Sequence, residues 1–247
     1  MSPDILRSSH TALFLDVDGT LIDFAASPAE VIVPAGLVDD LASIERTLGG
    51  ALALVSGRTI ADLDHLFRPL RLRASGVHGA EMRYEPSSFT PSVEAATHLS
   101  LELWAALNEK LSAFPGTFAE NKRYSFAIHY RAAPKLGARL LASLRELVSA
   151  RARELEIIEA HFAFEIKSAT FDKGAAIDSF LERAPFAGRV PIFVGDDWTD
   201  ESGFAAVVRR GGAAYSVGQA RPHVSGVFSG PASVREWLKQ AVQEMAI

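Results

Sequence analysis

Cysteine is absent from the 247 residues, which excludes disulfides, thiolate nucleophiles and cysteine-ligated metals together. An excess of basic charge is also missing. Thirty acidic residues stand against 25 basic ones, for a net charge of −5, so the chain offers no overall footprint for nucleic acid, and an anionic ligand must be met by a local cluster. The N-terminus lacks a long apolar run. In "MSPDILRSSHTALFLDVDG" the apolar stretch is broken by Asp16 after a few residues, too short for a signal-peptide core or a membrane span, and a soluble, cytoplasmic protein is expected. Internal repeats and low-complexity tracts are lacking as well. What remains is ordinary globular usage, 48% hydrophobic and 22% charged, in a length at which one domain can divide into two.

Three short, continuously apolar segments end in a polar residue beside glycine: "TALFLDVDG", "GALALVSGR" at 50 to 58 and "VPIFVGDD" at 190 to 197. Each reads as a buried parallel strand. Between the first two, "PAGLVDDLASIERTLGG" spaces its apolar residues by three and four and closes on Gly49 and Gly50, as an amphipathic helix does. Strand, helix, strand implies a right-handed crossover and a parallel sheet. "TIADLDHLF" predicts a further helix and "ASGVHGAEMRYEP" a short strand or hairpin with tight turns. The middle changes character. "EAATHLSLELWAALNEKLSAF" predicts a long helix, "TFAENKRYSFAIHYR" alternating strands, "PKLGARLLASLRELVSARAREL" a second helix and "EIIEAHFAFEIKS" another strand or hairpin, which together make a small α+β module. The expected architecture is a doubly wound α/β core in two sequence pieces, 1–98 and 170–247, with a small domain over 99–169 inserted between them.

In an open parallel sheet, ligands collect outside the carboxyl ends of the strands. Asp16, Ser56 and Asp196 each follow one of the three predicted strands, so the fold should bring them to one place. The carboxylates of Asp16, Asp18, Asp196, Asp197 and Asp200 suit a hard divalent cation, and Mg²⁺ is the usual partner where phosphate is the other ligand. Asp16 can then act as a carboxylate nucleophile on phosphorus, and Asp18 as the proton donor and acceptor. Gly19 permits close approach of the backbone to phosphate. Ser56 supplies a hydroxyl and backbone donors, and Lys173 in "DKG" a cation, for the charge on the equatorial oxygens.

The segments "DVDGT", "VSGR", "DKG" and "GDDWTDE", in this order, resemble the haloacid dehalogenase superfamily of aspartate-nucleophile phosphatases. "SGVHGAEMR", "ENKRYSFAIHYR", "FEIKSATFDKG" and "FVGDDWTDESGF" are similar to the bacterial trehalose-6-phosphate phosphatase family, over most of the chain from about residue 12. The resemblance implies a Rossmann-like core with an α/β cap inserted before the lysine motif. It implies that Asp16 is the nucleophile, Asp18 the general acid and base, and Ser56 and Lys173 the holders of the phosphoryl group. Metal ligands would be Asp16, the backbone carbonyl of Asp18 and Asp196, with Asp197 and Asp200 in support of Mg²⁺. The implied substrate is trehalose 6-phosphate. A disaccharide is recognised by directional hydrogen bonds, and Glu120, Lys122, His129, Arg131 and Glu165 on the predicted cap strands offer them. By alternation His129 and Arg131 share one face. Arg58, His78 and Glu81 lie on core loops, where they either contact substrate or hold the cap closed. Trp198, within "DDWTD", has no assigned role, and Ser168 stands where the family often has proline. The rival readings are a phosphatase or phosphomutase for another sugar phosphate, and a dead sugar-phosphate-binding module. No nucleic-acid or membrane partner is expected, and a monomer is.

Overall fold

The computed structural model describes residues 10–25, 30–88, 99–160 and 162–245. The chain divides into two compact units, Met1–Val93 with Asp172–Ile247, and Glu94–Phe171. In chain order the first stretch contributes β1 (Thr11–Leu15), α1 (Leu37–Thr47), β2 (Leu52–Val55), α2 (Ile60–Leu66), β3 (Arg73–Gly76) and β4 (Glu81–Arg83). The second unit holds α3 (Leu101–Leu111), β5 (Phe118–Asn121), β6 (Ser125–His129), α4 (Gly137–Val148), β7 (Leu155–Ala160) and β8 (Ala163–Ser168). The chain returns to the first unit with α5 (Lys173–Leu181), β9 (Val190–Gly195), α6 (Glu201–Arg209), β10 (Ala213–Val217), β11 (Gly226–Phe228) and α7 (Pro231–Met245). No helix among the described residues is long and apolar enough to cross a membrane.

The first unit is built on a seven-stranded sheet in the order β11-β10-β9-β1-β2-β3-β4, parallel throughout except for β4, which runs antiparallel to β3. Its middle strand, β1, has no polar alternation because both of its faces are covered. Ala12, Leu13, Phe14 and Leu15 are all fully buried, as a strand with helices on both sides must be. Helix α1 packs against α7 and α5 against α6. Phe14 stacks on Phe186 at 5.2 Å and meets Phe180 of α5 at 6.0 Å, so the strand that carries the acidic motif is anchored by an aromatic cluster next to it.

The second unit is a four-stranded antiparallel sheet, β5-β6-β8-β7. Phe126, Ile128, Phe164 and Ile166 alternate onto one face and form a separate core with Leu103 and Leu107 of α3 and Leu140 and Leu144 of α4. Glu165 and Lys167 point to the other face by the same period of two. Helix α3 is shorter than the sequence pattern predicts. Ser100 caps its start by accepting from Leu103 N–H, Pro115 follows its end, and the expected positions 94–98 lie outside the described residues. A second difference concerns Lys122 and Arg131, expected on strands. β5 ends at Asn121 and β6 at His129, and the chain turns ahead of Pro134 to enter α4. Arg131 therefore lies in a turn, with its guanidinium 5.2 Å from the Phe162 ring, and does not share a strand face with His129.

Phe14→Ala would open a cavity in the fully buried cluster beside the acidic motif. A loss of about 3–5 kcal/mol in unfolding free energy is expected, measured as a lowered denaturant midpoint without a change in slope.

Candidate active site

The site follows from strand register. β1 pairs in parallel with β2 on one side and β9 on the other, with Leu15 opposite both Leu54 and Val194. The next residues out of the sheet are Asp16, whose N–H donates to Val194 O at 2.9 Å, and Ser56, whose N–H donates to Ser75 O at 2.9 Å. Asp196 leaves β9 at the same edge. The three polar residues predicted to converge thus emerge side by side, because their strands end level at the carboxyl rim.

At the centre sits Lys173, 3% exposed at the first position of α5. Its Nζ donates to Asp16 Oδ1 at 2.7 Å and to Asp200 Oδ1 at 2.6 Å. A helix N-terminus disfavours a cation by roughly 0.3–1 kcal/mol, and burial disfavours any charge. Two short charge-assisted bonds outweigh both, and the ammonium is held charged well above its ordinary range by Asp16 and Asp200. Asp16 feels burial first, which pushes its carboxyl up, with Lys173 pulling it back down and Asp200 and Asp18 pushing it up again. Thr20 Oγ1, in a position that sequence reasoning left without a role, donates to Asp16 Oδ2 at 3.2 Å.

The loop after β9 divides its acidic residues among different tasks. Asp200, fully buried, accepts on Oδ2 from Asp196 N–H and Asp197 N–H, both at 2.9 Å. Asp197 caps the turn that follows, accepting from Trp198 N–H at 2.6 Å. Asp196 is pushed up by burial and then by Asp16 and Asp200. Its carboxylate lies against Gly19, whose φ of +77 already suits glycine and whose Cβ, if present, would overlap Asp196 Oδ2. Gly19 therefore makes room for a carboxylate as well as for a ligand.

Asp16, Asp196 and Asp200 each offer an oxygen within 4.8 Å of the others. Three carboxyls share one buried ammonium, Lys173, with burial and mutual repulsion pushing Asp16 and Asp196 up, and every donor is a hard oxygen. This set fits a divalent cation.

Asp18 is placed differently. Both of its oxygens are taken by Arg58, Nε to Oδ2 and Nη2 to Oδ1, each at 2.6 Å. Ser56, buried, accepts on Oγ from Arg58 N–H at 3.1 Å. His78 lies on a left-handed turn with Val77, at φ 55 and 47. Val77 N–H and His78 N–H donate to Arg58 O and Ser56 O, and the imidazole packs so tightly on Gly57 that a Cβ there would lie 2.6 Å from Nε2. Glu81 Oε2 accepts from Ile60 N–H at 2.8 Å, tying the start of α2 to β4. Among the core-loop residues, Arg58 thus reaches the motif carboxylates directly, while His78 and Glu81 brace the segment around Ser56.

In the second unit, His129 Nε2 lies 3.2 Å from Glu120 Oε2, and Lys122 Nζ 3.6 Å from Glu165 Oε2. Ser125, not singled out in the sequence, donates to Glu165. The Glu120 carboxyl is held below its usual range, first by the His129 hydrogen bond. These four predicted residues form one polar group on one face of the sheet. Arg131 stands apart on Phe162.

A parallel α/β core with a lysine-paired aspartate after its first strand and a carboxylate loop after the fourth parallel strand in chain order is a fold of the haloacid dehalogenase type. The fold agrees with that of BT1666 from Bacteroides thetaiotaomicron, a phosphatase of this superfamily, at a TM-score of 0.63 over 97% of each chain and 16% identity. Within that class, the family described as trehalose-phosphatase matches residues 14–244, and the chain belongs to it. It is 36% identical to the trehalose-6-phosphate phosphatase of Escherichia coli (strain K12), over 94% of this chain and 86% of the relative. It is 37% identical to a probable trehalose-phosphate phosphatase of Sinorhizobium fredii (strain NBRC 101917 / NGR234), over 96% and 88%. The C-terminal domain of Candida albicans trehalose-6-phosphate phosphatase superposes at a TM-score of 0.84 with 20% identity, covering 98% of this chain and 96% of that one.

The raised Asp16 and Asp196 carboxyls carry a sign for stability. A carboxyl whose folded value lies above the ordinary 3.8 stabilises the fold below that value, and the contribution is lost as pH rises through the raised range. A bound cation replaces the lost protons. Without metal, the melting temperature should therefore fall from about pH 5 to about pH 8, and added Mg²⁺ should raise it more at the higher pH, as differential scanning calorimetry would measure.

Proposed function

We propose that the chain hydrolyses trehalose 6-phosphate to trehalose and inorganic phosphate, with Mg²⁺ as the divalent cation of the Asp16, Asp196 and Asp200 group. The observation that carries the chemistry is the buried Lys173 at 2.7 Å from Asp16, which pulls a carboxyl raised by burial back toward its ionised form, since only that form attacks phosphorus. Family membership over residues 14–244 carries the substrate. The bound cation supplies charge neutralisation at the phosphoryl oxygens.

In the first step an Asp16 oxygen forms a bond to phosphorus, the bond from phosphorus to the sugar oxygen breaks, and Asp18, carrying the proton it took from water in the preceding turnover, gives that proton to the sugar oxygen. In the second step water attacks the aspartyl-phosphate, Asp18 takes the water's proton, and the bond to Asp16 breaks to release phosphate. Lys173, the Ser56 hydroxyl and the backbone of the Ser56 turn hold the phosphoryl oxygens. Arg58, which grips Asp18 with both arms of its fork, is a planar cation that a phosphate also recruits. A phosphoryl group that takes this fork frees Asp18 to turn toward the leaving oxygen. The second unit is read as the sugar-recognising cap, in which Glu120, Lys122, His129 and Glu165 supply directional bonds to hydroxyls.

Asp16→Asn should reduce turnover by at least roughly four orders of magnitude, as losses of nucleophiles do, with an unchanged circular dichroism spectrum. Phosphate release assayed on a panel of sugar phosphates, with and without Mg²⁺, checks the substrate. Trehalose 6-phosphate should be preferred. An isomerised sugar phosphate in place of free phosphate would instead make the chain a mutase.

A further inference from the structure

Trp198 is 64% exposed at the rim of the carboxylate loop, whereas Trp237 is 3% exposed in the core. The indole is not left to itself. Arg221, from the loop between β10 and β11, places its guanidinium 4.4 Å from the centre of the Trp198 ring. The same guanidinium donates from Nη2 to the backbone carbonyl of Asp196 at 3.1 Å. Its Nε is buried and has no hydrogen-bond partner among the described residues. A planar cation that leaves a buried donor unpaired while its charge lies over an indole is held for its position.

The reach is a consequence of the sheet order. β10 lies beside β9 in parallel, so the loops leaving both strands are neighbours at the carboxyl rim. The two peptide groups that flank the Asp196 Cα are then each restrained. Asp200 holds the N–H at 2.9 Å, and Arg221 holds the carbonyl. Between these two fixed points the Asp196 side chain is aimed at Gly19 and Asp16, toward carboxylates that repel it.

We infer that Arg221, backed by Trp198, is a positioning residue that fixes Asp196 for a divalent cation. It touches no reacting atom. Its guanidinium ties the carbonyl of a ligand residue, and the indole prevents the long side chain from exchanging among rotamers. The same contacts explain why an apolar ring stands exposed beside a charged loop, since its buried face is the platform for Arg221. The inference rests on the reading of the Asp16, Asp196 and Asp200 group as a cation site.

The test is Mg²⁺ binding to the purified, chelator-treated protein without substrate, followed by isothermal titration calorimetry. Arg221→Gln should weaken Mg²⁺ about tenfold, the lower range for partners that orient a metal ligand. Arg221→Lys should recover little of this, because an ammonium keeps the charge but neither stacks nor forks. Trp198→Ala should weaken Mg²⁺ in the same direction, and Trp198→Phe, which keeps a ring face, should restore it. The melting temperature in chelator should be unchanged in Arg221→Gln, and its kcat should return toward that of the unaltered protein at high Mg²⁺. Unaltered Mg²⁺ affinity in Arg221→Gln, or a lower melting temperature in chelator with no change in affinity, would overturn the role. If the unaltered chain itself bound no Mg²⁺, the cation site would fall first, a result separable from failure of the brace alone.

Discussion

One buried ammonium organises the core site. Lys173 stands where a helix dipole and desolvation both oppose a positive charge, and it stays because Asp16 and Asp200 lie at 2.7 and 2.6 Å. Without the ammonium both carboxylates would be buried with no opposite charge against them, and removing one partner from such a buried group typically costs about 3–5 kcal/mol. The dependence then spreads outward. Asp200, fixed on one oxygen by Lys173, uses the other to gather the amides of Asp196 and Asp197. Partial charge compensation at the rim and backbone shape in the loop after β9 therefore have a common origin.

The strand ends were the most legible part of the sequence, for a physical reason. A strand buried on both faces must be continuously apolar, so the first polar residue after it marks where the sheet meets solvent. Asp16, Ser56 and Asp196 are such residues, and the family resemblance ordered them into chemistry. Less legible was the division of labour among neighbouring acids. Asp197 and Asp200 look alike in "GDDWTDE", yet one caps a turn and the other binds the lysine, a distinction set by which amides happen to be in reach. Contacts between distant residues were not legible at all. The Arg58 fork on Asp18 and the Arg221 bond to the Asp196 carbonyl depend on loop geometry that no local pattern encodes.

The second unit shows the same limit on a different surface. Its two faces follow from alternation: Phe126, Ile128, Phe164 and Ile166 make the core, and the charged positions take the other side. Alternation holds only while the strand lasts. Glu120, His129 and Glu165 sit within their strands and are found together with Lys122, whereas Arg131, two residues past His129 in the sequence, has already entered the turn that Pro134 demands. The end of a strand is a small error in sequence position and a large one in side-chain direction.

The order of strands in the seven-stranded sheet bears on how the chain comes to be folded. β1 pairs on one side with β2, close behind it, but on the other with β9, which follows the whole second unit. During synthesis from the N-terminus, the apolar edge of β1 is thus made early and satisfied late, a long-range closure of the kind that slows folding and exposes an unpaired strand to misassociation. Lys173 and Asp200 arrive in that same late portion, so the nascent half-sheet carries Asp16 without the ammonium that later tames it. Until the final third of the polypeptide emerges, this half-sheet has an open edge and an acidic motif still solvated by water, and the inserted unit, with a core of its own, can collapse in the interval.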